Sequence, residues 1–232
     1  MSDIKVIQGD CLEIMKTFAD NQFDLVLTDP PYGIDYQSAW RTDKSKWKPK
    51  IANDKEPFVD WIPEAFRLLK DGGRLFCFYR WDVQNEFKNA LEDSKFSVKS
   101  QVIWDKIIHG MGDLNGEYAP QHECIMYATK GRYEFRGKRP TSIIQCQRVQ
   151  PEKLLHPNEK PIKLLRKLIR QVTSKGDNVL DCFGGSFSTM IACQHEDRNF
   201  TGIEISPEYC EIARKRVQEE KDKMGLFNGL NQ

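Results

Sequence analysis

Charge of one sign is the first thing this sequence does without. Lys and Arg number 35 against 34 Asp and Glu, leaving a net charge of +1. No global field recruits a polyanion, so any nucleic-acid contact has to come from local clusters. Long hydrophobic runs are also missing. No stretch approaches the roughly 20 apolar residues of a membrane span, and Met1–Lys5 lacks an apolar signal core. A cytoplasmic protein with no membrane partner is expected. The seven cysteines (11, 77, 124, 146, 182, 193 and 210) form no CxxC pair and no zinc spacing. Their odd number and apolar surroundings exclude a disulfide scaffold, imply reduced thiols and offer no metal site. Repeats and low-complexity tracts are absent. So is the G-x-G-x-x-G fingerprint, which counts against a dehydrogenase. What remains is a 232-residue chain, enough for one α/β domain with a substantial core.

Strand-like apolar runs alternate with helical ones along most of that length. Strands are expected at 4–7, 23–28, 74–79, 98–104, 123–128, 178–181 and 200–205. Helices are expected near 12–18, 61–69, 83–91, 160–173, 188–193 and 208–221, with a frayed tail from Gly225. Such alternation predicts a mostly parallel, doubly wound sheet covered on both faces. The strands at 103–104 and 125–127 have no helix between them and are expected to form an antiparallel edge. Residues 34–57 lack periodicity and read as a long mobile loop; loops of this length in compact domains are usually functional or disordered.

Two strand ends carry chemistry. The run Phe23–Thr28 leads into Asp29-Pro30-Pro31-Tyr32-Gly33. Ligand sites in open parallel sheets lie at the carboxyl ends of strands. Two prolines with fixed φ and no N–H hold the aspartate and its neighbouring carbonyls in one orientation. The turn offers hydrogen-bond acceptors and an aromatic face, and so suits a flat substrate bearing an amino group. A strand closed by a plain proline turn would use the same residues. The second is Asn178–Asp181, followed by Cys182-Phe183-Gly184-Gly185-Ser186 and a helix, with Glu204 ending the next strand about 20 residues on. Glycines let backbone approach a ligand, and an acidic residue at that spacing holds ribose hydroxyls. Asp181 would sit beside any pyrophosphate, so a cofactor with a cationic amino acid end fits better than a dinucleotide. A third segment, His156-Pro157-Asn158-Glu159-Lys160-Pro161, also reads as a proline-rich helix entry.

Together these motifs resemble the S-adenosylmethionine-dependent DNA amino-methyltransferases of the N6-adenine/N4-cytosine family. Asp29–Tyr32 matches its [DNS]-P-P-[YFW] motif, and His156–Pro161 its H-P-T-E-K-P motif with Asn158 in place of Thr. Asp181–Ser186 matches its D-x-F-x-G-S-G-T motif, from which Phe187 and Ser188 depart. Catalytic motif first and cofactor motif last is similar to the permuted β-type order. The resemblance implies a Rossmann-like methyltransferase fold spanning residues 1–232 and a methyl transfer from S-adenosylmethionine to an exocyclic amine. Asp29 in the motif is more typical of adenine enzymes and implies N6 of a flipped-out adenine; N4 of cytosine is the alternative. Asp29, Pro30, Pro31 and Tyr32 are the implied catalytic residues. The implied cofactor contacts are Asp10, Asp29, His156, Pro157, Lys160, Asp181, Phe183, Gly185, Ser186 and Glu204. Capping the helix at 12–18 accounts equally for Asp10.

Double-stranded DNA is the expected partner, and a homodimer is consistent with β-type relatives. Two basic stretches supply the local charge that the whole chain lacks. One holds Arg41, Lys44, Lys46, Lys48 and Lys50 with Trp40 and Trp47 interleaved; the other holds Lys130, Arg132, Arg136, Lys138, Arg139 and Arg148. Both suit phosphate contacts, and residues 106–150 are the candidate target-recognition region. Arg80 and Trp81, after a strand end, face the same side. Two other readings compete: methylation of an RNA or protein amino group, and a nucleic-acid binder with a decayed cofactor pocket, for which Phe187 is the support.

Overall fold

Alternation of side chains across a pleated strand explains how this chain builds two cores on one sheet. A computed structural model describes residues 2–33, 56–110, 114–135, 137–150 and 159–229. In β2 (Phe23–Thr28) Leu25 and Leu27 face one side and Val26 the other, all fully buried. Adjacent β3 (Leu69–Tyr79) repeats the pattern with Phe76 and Phe78 against Leu75, Cys77 and Tyr79. The first set packs against α4 (Ile162–Val172) and α5 (Ser188–His195), the second against α1 (Cys11–Lys16), α2 (Ile62–Leu68) and α3 (Gln84–Asp93). α4 shows why it lies flat on the sheet. Leu164, Leu165, Leu168, Ile169 and Val172 form one buried stripe, and Lys163, Lys167 and Arg170 point away.

The remaining strands are β1 (Ile4–Gln8), β4 (Ser97–Asp105), β5 (His122–Thr129), β6 (Ile143–Gln145), β7 (Asn178–Asp181) and β8 (Asn199–Glu204); α6 (Pro207–Gly229) closes the chain. The sheet order is β1-β8-β7-β2-β3-β5-β4-β6. Every pairing is parallel except those of β5, which runs antiparallel to both β3 and β4. This is the mostly parallel α/β sheet expected. Three details differ. β6, unpredicted, pairs with the end of β4, so the antiparallel strands lie inside the sheet rather than at its margin. β6 is three residues long with only Ile144 buried, too short to show a period. β3 starts at Leu69 and carries Gly72-Gly73 within it. The last helix runs to Gly229, past the Gly225 where a tail was expected.

Strand order reverses between β7 and β2. β7 leads outward to β8, and β2 leads the other way to β3. This is the switch point at which open α/β sheets leave a crevice. The carboxyl ends of β2 and β7 therefore lie side by side although 153 residues separate them in the chain.

Candidate active site

β2 delivers Asp29 to that crevice, and the segment after it holds the proline turn in place. Phe58 N–H donates to the Pro31 carbonyl at 3.1 Å, and Tyr32 bridges to Pro57. Gly33 has φ of +79°, and a Cβ there would lie 2.6 Å from the Glu56 backbone, so only glycine lets the two segments approach. The Asp29 carboxylate is clamped from two sides. Tyr32 Oη donates to Oδ1, and Lys160 Nζ lies 2.6 Å from Oδ2. The Tyr32 ring meets Phe87 edge-on, with centroids 6.4 Å apart. Lys160 also reaches Glu123 at 3.1 Å and sits 4.9 Å above the Phe78 ring. Glu123 in turn pairs with Lys106 at 2.8 Å. Burial pushes the Asp29 carboxyl up from its ordinary range, against the pull of Lys160. Lys160 is held above the usual lysine value because Asp29 and Glu123 outweigh the burial that opposes its charge.

Beside this cluster, β7 delivers Asp181, only 4% exposed. Its Oδ1 accepts from Thr28 Oγ1 at 2.8 Å and from Phe183 N–H at 3.1 Å. Burial pushes its carboxyl up to about 7, opposed by hydrogen bonds from Thr189, Thr28 and the Phe183 amide. A buried carboxylate with hydrogen bonds in place of a cation is a natural seat for a positively charged ligand group. The loop that follows is anchored to β8. Gly184 N–H donates to the Ile203 carbonyl at 2.8 Å, and Glu204 accepts from Gly185 and Ser206 N–H, each at 2.8 Å. Phe183 packs edge-on against Phe58 and Trp61, at 5.9 and 5.8 Å. Asp10 is exposed and caps α1, accepting from Leu12 N–H at 2.8 Å. It lies on the same sheet edge, since Gly9 N–H donates to the Glu204 carbonyl at 3.0 Å. The Ser186 hydroxyl lies 3.2 Å from that of Ser188, which donates to Glu159 at 3.1 Å; Arg216 of α6 reaches Glu159 at 3.4 Å.

Phe187 is the departure that the motif made conspicuous, and its geometry resolves it. Its backbone adopts φ 59°, ψ 36°, the left-handed conformation that glycine would favour. Its ring is fully buried in the core, edge-on to Phe200 at 6.3 Å, and occupies the space above Gly184 and Gly202. The ring is thus part of the core rather than of an open crevice, and the argument for a decayed pocket loses its support. Left-handed backbone costs a non-glycine residue about 1–2 kcal/mol, while emptying a buried phenyl site costs about 3–5 kcal/mol. Phe187→Gly is therefore expected to lower stability by about 2 kcal/mol, although it relieves the backbone. Chemical denaturation of the two proteins measures the difference.

The crevice brings together Asp29, Tyr32, Asp181, Glu204 and the glycine loop. Lys160, expected among the cofactor contacts, reaches Asp29 and Glu123. His156 and Pro157 lie outside the described residues, as do Arg41, Lys44, Lys46, Trp47, Lys48 and Arg136. Lys138 and Arg139 are exposed on the segment leading into β6. Lys130 and Arg132 follow the end of antiparallel β5 and so lie at the opposite edge from Asp29. Lys130 Nζ there donates to the Leu69 carbonyl at 2.7 Å and to Asn21 at 2.9 Å. The charge of Lys130 is spent on structure, an outcome set by strand direction. Lys106 and Glu123 were missed as site residues; their signal was the lack of a helix between β4 and β5, which turns the start of β5 back to the catalytic edge. All seven cysteines are free and buried, and no metal-ligating cluster occurs among the described residues. No described helix is long and apolar enough to cross a membrane.

Comparison with known proteins agrees with this geometry. The profile of a family described as DNA methylase, covering N6 and N4 methyltransferases, matches residues 23–215. A protein of Escherichia coli K12 named methylase YubD is 31% identical over 217 residues, covering 92% of this chain and 89% of its own. The DNA adenine methyltransferase YhdJ of the same organism is 27% identical, covering 91% of this chain and 82% of its own. Among solved structures, the M1.HpyAVI–SAM complex superposes with a TM-score of 0.71 at 26% identity, covering 92% of this chain and 99% of that one.

Proposed function

Because this chain belongs to the DNA methylase family of N6 and N4 amino-methyltransferases, we propose that it methylates the exocyclic N6 of adenine in double-stranded DNA, using S-adenosylmethionine. The observation that carries the reading is the contact between the two halves of the crevice. Thr28, one residue before the catalytic aspartate, donates to Asp181 at 2.8 Å. An amine held by Asp29 and a cofactor held by the Asp181 loop are thereby neighbours. The residues fit that cofactor: Asp181 would take the methionyl ammonium, Glu204 the ribose hydroxyls, and Phe183 with the Gly185 and Ser186 backbone the remainder. When bound, S-adenosylmethionine supplies an electrophilic methyl on a sulfonium.

Everything else is the work of the chain. The adenine amine is a weak nucleophile because its lone pair is delocalised into the ring. Asp29, assisted by the Pro30 carbonyl, accepts its N–H groups and favours a pyramidal nitrogen whose lone pair points at the methyl. This is catalysis by orientation and electrostatics rather than by a covalent intermediate. Tyr32 and Lys160 fix the carboxylate that does it. An adenine within a duplex cannot reach this crevice, so the target base has to rotate out of the helix. On sequence grounds the basic segment 41–50 contacts the phosphates. Arg80, Arg148 and the exposed Trp81, Ile108, Leu114 and Tyr118, which follow strand ends on the catalytic edge or lie in the β4–β5 connection, complete the DNA-facing surface. A second copy would share target reading within a homodimer.

Expression in a methylation-free host followed by single-molecule sequencing tests the assignment. N6-methyladenine in a fixed sequence context is the expected result. N4-methylcytosine would overturn the choice of base, and unmodified DNA would overturn the activity.

A further inference from the structure

Asp29 faces a conflict in this site. It has to stay ionised to accept an amine, which needs a nearby cation, yet a cation bound to it alone competes with the amine for the same oxygens. The side chains behind it address both needs. Lys160 Nζ is 2.6 Å from Asp29 and 3.1 Å from Glu123, with a side chain only 10% exposed. Glu123, near the start of β5, is in turn held at 2.8 Å by Lys106, which follows the end of β4. Four charges alternate in sign across three strand ends and the segment before α4.

We propose that Glu123 is a positioning residue for methyl transfer, holding the Lys160 ammonium shared between two carboxylates so that Asp29 keeps acceptor capacity for the substrate amine, with Lys106 anchoring Glu123. The inference rests on the reading of Asp29 as the amine acceptor. Glu123 itself touches neither the amine nor the cofactor in this scheme; it acts through Lys160. Truncating it to a neutral residue leaves Lys160 with one carboxylate, which it then binds more tightly.

The sign of the effect can be worked out. The groups facing Asp29 are Tyr32 from its own turn, Cys77 from β3, Glu123 from β5, Lys160 before α4 and Asp181 from β7. Glu123 raises the Asp29 pKa through charge. Losing that negative charge makes Asp29 protonate at lower pH, so the acidic limb of the rate profile moves down. Losing Lys106 does the opposite: a positive charge disappears and an unpinned Glu123 draws Lys160 away from Asp29, so the limb moves up.

Single-turnover methyl transfer at saturating DNA and cofactor, measured across pH, tests this with Glu123→Gln, Glu123→Asp and Lys106→Gln. Glu123→Gln is expected to slow transfer at least about tenfold with cofactor affinity unchanged, and to move the acidic limb down. Glu123→Asp restores part of the rate, and Lys106→Gln moves the limb up. Unchanged rate and limb in Glu123→Gln would overturn the proposal. A slower rate with an unmoved limb and no recovery in Glu123→Asp would reduce Glu123 to a packing role and overturn it equally. Should Glu123→Gln fail to fold, judged by lost cofactor binding, a limb shifted up in Lys106→Gln upholds the proposal and an unmoved limb there overturns it. Failure of the underlying reading looks different, since Asp29→Ala would then keep its activity whatever the Glu123 variants do.

Discussion

Asp29→Ala is expected to lose about 10³-fold or more in single-turnover methyl transfer while keeping its fold. The size follows from what is removed. A preorganised polar group aimed at the reacting atom contributes about 10²–10³-fold in comparable sites; here the same group also orients the nucleophile, and orientation carries its own share of the barrier. The fold is expected to survive because the change strands no buried ion. Lys160 keeps Glu123 at 3.1 Å, and Glu123 keeps Lys106. Burial of Asp29 works against its charged form in any case, so removing it costs the native state little. Transfer of labelled methyl under single-turnover conditions, beside a thermal melt, measures both halves. A variant within tenfold of the parent rate would remove Asp29 from the mechanism.

Asp181→Asn is expected to make the ligand-free protein more stable at pH 8 and nearly unable to bind S-adenosylmethionine. The Asp181 carboxyl rises from 3.8 to about 7 on folding, with burial as the main cause. Below about pH 4 it is protonated in both states, and it then contributes its full relative stability. As pH rises toward 7 the unfolded chain ionises first, so that stability is lost progressively through the folded value. Above it, the native protein carries a deficit of about 4 kcal/mol at most. Asparagine keeps an oxygen for Thr28 and the Phe183 amide but cannot ionise, so the deficit disappears. A positively charged ligand group offsets the same deficit in the parent, which couples cofactor binding to stability. Melting temperatures from pH 4 to 8 and calorimetric titration test this. The gain should grow with pH and vanish near pH 4. Equal melting curves at pH 8, or retained cofactor affinity, would contradict it.

The two ligand motifs could be read from sequence because each is local. Asp29–Gly33 ends an apolar run, and Asp181–Ser186 is a strand, a glycine turn and a helix start. Period-two and period-3.6 patterns carry such elements without reference to the rest of the chain. Phe187 was misleading in sequence for the opposite reason. Its backbone obeys the motif, and its ring goes where only the packing of Phe200 and two glycines makes room. Lys130 and Arg132 suit DNA contacts on charge density alone, which says nothing about which edge of a sheet a residue occupies.

The α/β class, the strand ends that carry chemistry and the family were thus within reach of the amino-acid order, since each follows from short-range periodicity or from motif residues contiguous in the chain. Tertiary structure decided the rest. It set β2 beside β7, joining Thr28 to Asp181, and it turned β5 around to bring Glu123 and Lys106 behind Lys160. It also carried Lys130 to the far edge. Those outcomes depend on strand order and direction, which are chosen by how the whole set of apolar faces packs rather than by any one segment.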